Sequence, residues 1–173
     1  MNKLLKVLSI VIAGFALTAN SFAADVTMRI SIQLPMKSHL GQNLLLFKND
    51  VEAKSKGEIE VQIYDSAQLY KDKEVPAAVG SGSIEAGVAS LTRYVGDIPA
   101  VDIFYQPFLL NSEAKVRKAV AKGSAIRGPI DKAIEGTGST VLWWQAYGSA
   151  VMLSKGQGIK NPSDMKGKKV RVF

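Results

Sequence analysis

An arginine held on a β-strand presents a rigid two-pronged donor, the geometry that captures a carboxylate through two parallel hydrogen bonds. The run Lys169-Val170-Arg171-Val172-Phe173 offers one. Period 2 sets Arg171 on the face opposite Val170 and Val172, and the preceding Ile159-Lys-Asn-Pro-Ser-Asp-Met-Lys-Gly167 reads as a turn that feeds this strand. Taken alone, the stretch reads first as an exposed arginine in a basic turn beside Lys166, Lys168 and Lys169, because charge runs are usually solvated faces. No set of residues elsewhere in the chain reads as a catalyst. There is one histidine, His39, at a predicted helix start, where capping or packing is the commoner role. With no cysteine, thiolate chemistry, disulfides and cysteine-based metal sites are excluded, and one histidine gives no zinc spacing. Neither a Gly-x-Ser-x-Gly elbow nor a phosphate loop is present, and Gly80-Ser-Gly82 precedes a strand, the wrong context for a dinucleotide turn. Asp50, Glu52, Glu113, Asp131 and Glu135 fall on predicted helices, where solvation explains them.

The elements that must position such residues begin after a leader. Lys3 and Lys6, the apolar run Val7 to Ala19 and the small residues at Ser21-Phe22-Ala23 read as a secretory signal over residues 1–23. The apolar run falls short of the roughly 20 residues that cross a bilayer. The expectation is an exported, periplasmic chain starting near Ala24, soluble once cleaved and without a lipid anchor, because no cysteine follows the apolar run. The roughly 150 residues that remain are enough for one core. The formal charge is +7, or +5 without Lys3 and Lys6, and it is spread out. Without a basic stripe interleaved with aromatics, nucleic acid is not an expected partner, whereas an anionic ligand is compatible.

Thr27 to Leu34 alternates apolar Met28, Ile30, Ile32 and Leu34 with polar residues, a strand that ends at Pro35. Ser38 then caps a helix whose buried stripe is Leu40, Leu44, Phe47 and Val51, stopped at Lys56-Gly57. Ile59, Val61 and Ile63 mark a second strand, Asp65 to Leu69 a turn, Glu74 to Val79 a short helix, and Ile84 to Ala89 a strand of small residues. The apolar run Ile103 to Leu109 is broken by Pro107, and its local form is left open. Helices follow from a Ser112 cap through Val120 and over Ile126 to Ile134, then a buried strand over Thr140 to Trp144. Strands alternating with helices predict an α/β fold, a mostly parallel sheet with flanking helices. In such sheets ligands collect beyond the carboxyl ends of the strands. The residues at those ends are Gln33, Ser90 to Arg93, and Gln145 to Ser149.

Several segments, in order and spacing, carry a family resemblance: Leu34-Pro-Met-Lys-Ser-His39, Glu52-Ala-Lys-Ser-Lys-Gly57, Glu58 to Tyr64 with Ser66-Ala-Gln-Leu69, Val79 to Ala86, Gln106-Pro-Phe-Leu109 and Asp164 to Val172. From about Val26 to Phe173 the chain resembles the solute-binding subunit of tripartite ATP-independent periplasmic (TRAP) transporters, the dicarboxylate-binding DctP family. The resemblance implies a periplasmic-binding-protein-like fold of type II, a carboxylate ligand, a membrane permease partner, no cofactor and no enzymatic activity. It implies that Arg171 clamps the ligand carboxylate and that Gln33, Ser90 and Arg93 line the same cleft. Sugar-acid-binding members carry a second arginine where this chain has Val151, so the resemblance does not extend to sialic-acid-like ligands. Trp144 and Tyr147 then either pack against a less polar acid or belong to the core. It also implies a first lobe over 24–145, incomplete, and the start of a second over 146–173, hence a truncated chain with unpaired sheet edges. The rival readings are a binding protein of an ATP-driven importer or a sensor, and a fragment of an exported hydrolase.

Overall fold

In the computed structural model, residues 24–148, 151–156 and 158–171 are described. The secretory signal expected over 1–23 lies outside the described residues. The first strand, β1 (Val26–Ile32), is the centre of a three-stranded sheet in the order β2-β1-β3, with β2 over Ile59–Tyr64 and β3 over Ala86–Val88. Both neighbours run parallel to β1, in registers that set Met28 beside Val61, Ile30 beside Ile63 and Ile32 beside Val88. The alternation of β1 predicts one buried face. The structure buries both at its carboxyl end, where Ile30, Ser31 and Ile32 are all closed off from solvent, the usual state of a strand central to a parallel sheet.

Helices cover the two faces. Helix α1 (His39–Lys54) begins where the Ser38 hydroxyl accepts a hydrogen bond from the Gly41 amide at 3.1 Å. Its stripe of Leu40 and Leu44, with Phe47 and Val51 beyond them, packs on Ile30, Ile32 and Val61. Gly41 is needed there: a Cβ at this position would lie 2.6 Å from the Met36 backbone. On the opposite face, helix α2 (Val75–Gly80) approaches β3 so closely that a Cβ on Gly87 would meet Val75 at 2.4 Å. This contact explains the small-residue character of the third strand. A second apolar cluster gathers Ile98 and Val101, from a 3₁₀ stretch over Pro99–Tyr105 and the residue before it, with Ile130 and Ile134 of helix α4 (Arg127–Glu135). Helix α3 (Glu113–Val120) starts at Ser112, whose hydroxyl accepts from the Lys115 amide. No helix among the described residues is long and apolar enough to cross a membrane.

The strand expected over Thr140 to Trp144 is not formed. Residues 139–148 are outside any ladder, and Leu142 is exposed. A strand exists by its neighbour's backbone hydrogen bonds, and among the described residues no strand runs beside this one. Side chains hold the segment in place instead. Trp143 packs on Phe47 in the first cluster, ring centroids 4.9 Å apart, while Trp144 lies 5.2 Å from Phe104 in the second. The Trp144 indole donates to Asp131 at 2.7 Å, and the same carboxylate accepts from Arg127 at 2.9 Å. Trp144 therefore belongs to the core, and Asp131 is a buttress rather than a solvated surface group.

At the amino end of the sheet Arg29 grips Glu85 through Nε at 2.9 Å and Nη2 at 2.7 Å, and its amide adds a third bond to the same carboxylate at 2.8 Å. The guanidinium holds the Glu85 carboxyl at about 2, against 4.5 when free. The folded value lies below the unfolded one, so this contribution to stability is complete above pH 4.5 and is lost as pH falls toward 2. We predict that urea midpoints of the wild type and Glu85→Gln differ at about pH 6 and that the gap narrows steadily as pH falls from 4.5 toward 2. A gap that is constant across this range would show that the pair adds nothing pH-dependent.

Candidate ligand-binding cleft

Because β1, β2 and β3 are parallel, their carboxyl ends open on one edge, and the chain leaving β2 is stitched over it. The Ser66 amide donates to the Leu34 carbonyl at 3.2 Å and the Ala67 amide to the Ile32 carbonyl at 3.1 Å. Asp65 accepts from the Met36 amide at 2.9 Å and from Gln68 Nε2 at 3.1 Å. The buried Ser31 hydroxyl donates to the Tyr70 carbonyl and accepts from the Tyr70 amide, both at 3.2 Å. Ser66 and Ala67 adopt φ values of +52° and +58°, a left-handed conformation that costs a non-glycine residue about 1 kcal/mol or more and concentrates at functional sites.

This loop delivers Asp72 beneath the edge, 6% exposed. One of its oxygens accepts from the Ser90 amide at 2.9 Å, and the other accepts from Arg93 Nε. Ser90 precedes a 3₁₀ turn over Leu91–Tyr94, and its hydroxyl lies 2.9 Å from that of Thr92. The contact of Arg93 with Asp72 runs through Nε, and no hydrogen bond joins its two Nη groups to another described residue. Gln33, Ala67, Lys71, Asp72, Lys73 and Arg93 line a cleft of about 270 Å³. Neither lysine pairs with a carboxylate among the described residues. Two lysines and an arginine therefore line a space that holds one carboxylate, and this carboxylate is already engaged.

Tyr147 reaches the cleft residue Gln33. Its hydroxyl accepts from Gln33 Nε2 at 3.2 Å, and its pKa is raised, first by burial and then by the charge of Asp72, which keeps it a phenol. The segment bearing Tyr147 is docked on the start of α1: His39 Nε2 lies 3.3 Å from the Ala146 carbonyl, and Gln145 Nε2 donates to the His39 carbonyl at 3.5 Å. His39 thus serves as a packing residue.

Four of the five residues singled out in the sequence, Gln33, Ser90, Arg93 and Tyr147, meet at this edge. Arg171 does not. It is exposed, is not among the residues that line the cleft, and sits in a segment without strand structure over 168–171. Period 2 gives a strand only where a neighbouring backbone completes the ladder, and none does among the described residues. Val172 and Phe173 lie outside them. The turn before it forms as expected, a 3₁₀ turn over Pro162–Met165 with Asp164 accepting from the Lys160 and Asn161 amides at 2.9 Å. Asp72, Lys71 and Lys73 were not singled out because Lys-Asp-Lys reads as a solvated charge run. Nothing local marks the aspartate as buried.

The family model of bacterial extracellular solute-binding protein, family 7 (DctP), matches residues 30–173. The chain belongs to this family. A solute-binding protein of Verminephrobacter eiseniae is 31% identical over 155 residues, which cover 87% of this chain and 44% of that one. An extracytoplasmic solute receptor of Bordetella pertussis binding pyroglutamic acid superposes with a TM-score of 0.60 at 23% identity, covering 65% of this chain and 36% of that one. A TRAP periplasmic solute-binding protein of Pseudomonas aeruginosa with bound L-malate gives 0.62 at 19% identity, over 68% and 40% of the two chains. These structural likenesses establish a shared fold, and this DctP-family chain spans less than half the length of each of the three.

If Asp72 positions the edge, Asp72→Ala leaves Arg93 and the Ser90 amide without their acceptor and costs about 2 kcal/mol in urea unfolding. The Ser90 amide should exchange faster in the same variant, and Asp72→Asn should recover part of both. Stability and exchange unchanged in Asp72→Ala would deny the aspartate this role.

Proposed function

We propose that this chain supplies the anion-gripping wall of a periplasmic binding protein, one that captures a small organic-acid carboxylate and delivers it to a TRAP-type membrane permease. The observation that carries the reading is the convergence of Arg93, Lys71, Lys73, Gln33 and Tyr147 at the carboxyl ends of a parallel sheet. Charge-assisted donors in a cleft bind a carboxylate strongly and in one orientation. The buried Asp72 holds Arg93 by one nitrogen and leaves the outer fork for a ligand. Family membership supports the reading, as do the acids bound by the two structural relatives, which both carry a carboxylate.

In this proposal residues 1–23 are a cleaved signal, 24–145 form the first lobe and 146–173 begin the second. Ser90 shapes the loop that bears Arg93, and Tyr147 marks the passage between lobes. Arg171 enters the site from the second lobe and grips the ligand from the other side. The chain acts as a carrier rather than an enzyme, since the cleft groups are donors suited to holding an anion. Closure around the ligand is a shift between open and closed states driven by differential binding.

Calorimetry of the purified protein with succinate, L-malate and pyroglutamate, beside their uncharged amides, tests the proposal. The expected result is binding of at least one acid and none of its amide, weakened about tenfold or more by Arg93→Ala and by Arg171→Ala. Equal binding of acid and amide would overturn the carboxylate reading. An unaltered affinity in Arg171→Ala would remove that residue from the site.

A further inference from the structure

Strand β2 has β1 on one side, and among the described residues no strand on the other. Such an edge carries a row of free amides and carbonyls that can template pairing with another chain. The Val26 amide donates to the Glu58 carbonyl, so the backbone groups of Glu58, Glu60 and Gln62 face β1 while those of Ile59, Val61 and Ile63 face outward. Three side chains, Lys48 and Glu52 of α1 and Ser55 just after its last residue, meet that outward row. Glu52 Oε1 accepts from the Val61 amide at 2.9 Å, Lys48 Nζ donates to the Val61 carbonyl at 2.5 Å, and Ser55 Oγ accepts from the Ile59 amide at 3.2 Å. Lys48 also donates to Glu52 at 2.8 Å. These residues follow at spacings of four and three, one polar ridge along the end of the helix.

A solvated ion pair on a helix face would need none of these backbone contacts. Nor does Glu52 behave as one: the Lys48 ammonium, and then the Val61 amide, hold its carboxyl below the ordinary range. The neighbouring pair Asp50–Lys54 is the contrast, at 2.8 Å but largely exposed and with no hydrogen bond to a strand among the described residues.

We propose that Lys48, Glu52 and Ser55 form an edge guard, which occupies the outward backbone groups of β2 in place of a further strand and so blocks edge-to-edge pairing with a second copy of the chain. The ridge ends before Ile63. Its outward amide has no side-chain partner among the described residues and faces an open hollow of about 470 Å³ lined by Met36, Leu45, Lys48 and residues 60–64.

Residue-resolved amide exchange and sedimentation velocity test the guard. In the wild type the Val61 and Ile59 amides are expected to exchange slowly, while Ile63, on the same edge but beyond the ridge, exchanges fast. Glu52→Ala should speed Val61 about tenfold or more without changing the amides of Leu44 and Phe47 inside α1, and Ser55→Ala should do the same for Ile59 alone. Glu52→Gln, which keeps an acceptor oxygen, should restore much of the Val61 protection. The double change Lys48→Ala with Glu52→Ala should raise concentration-dependent self-association above that of the wild type. Faster exchange spread along α1 would mean that the pair merely supports the helix and would overturn the proposal. An unchanged Val61 rate, or self-association no greater than that of the wild type, would overturn it as well.

Discussion

The burial of both faces of one strand end is what the structure depends on. At Ile30 and Ser31 the backbone is paired on both sides, Ile32 is paired with β3, and all three side chains are buried. Helix α1 must then lie on one face and α2 on the other; Gly87 lets α2 approach β3, and Gly41 makes room for the Met36 backbone at the start of α1. Ser31 is the polar exception in this core. Its hydroxyl satisfies both backbone groups of Tyr70, so the one position unable to contribute apolar area ties down the loop over the strand ends. The left-handed Ser66 and Ala67 persist because this tether and the Asp65 contacts over-determine the loop.

From that loop the electrostatics of the cleft follow. Asp72 is buried and fully engaged, by Arg93 on one oxygen and the Ser90 amide on the other. A carboxylate in this position does not make the cleft acidic. It orients a guanidinium and turns the remaining donors outward, with Lys71 and Lys73 on either side in sequence. The two tryptophans do the mechanical part. Adjacent in sequence and opposite in direction, Trp143 and Trp144 insert into different apolar clusters and hold the segment that carries Tyr147 to Gln33. A side-chain clasp of this kind takes the place of a strand ladder.

Patterns of short range were legible. The alternation of β1 and β2, the Ser38 and Ser112 caps and the stripe Leu40-Leu44-Phe47-Val51 each state a local preference that burial reinforced. The strand-end residues Gln33, Ser90 and Arg93 were legible too, because parallel topology follows from alternating strands and helices. Residues whose role depends on distant partners were not. Glu52 and Asp131 read as solvated helix carboxylates, yet one engages the edge of β2 and the other braces Trp144. Arg171 shows the converse, a regular alternation with no backbone beside it among the described residues.

The amino-acid sequence by itself determined the α/β class, the order and phase of the first elements and the strand-end residues, since periodicity and capping act over a few neighbours. It also excluded cysteine chemistry by composition alone. Only the tertiary structure decided that Asp72 is buried beneath Arg93, that Trp143 and Trp144 part into two clusters, and that Thr140 to Trp144 stays outside the sheet. Each of these turns on which groups meet across tens of residues. Hydrogen-bond satisfaction and desolvation there are properties of the assembled surroundings, which no local stretch of sequence encodes.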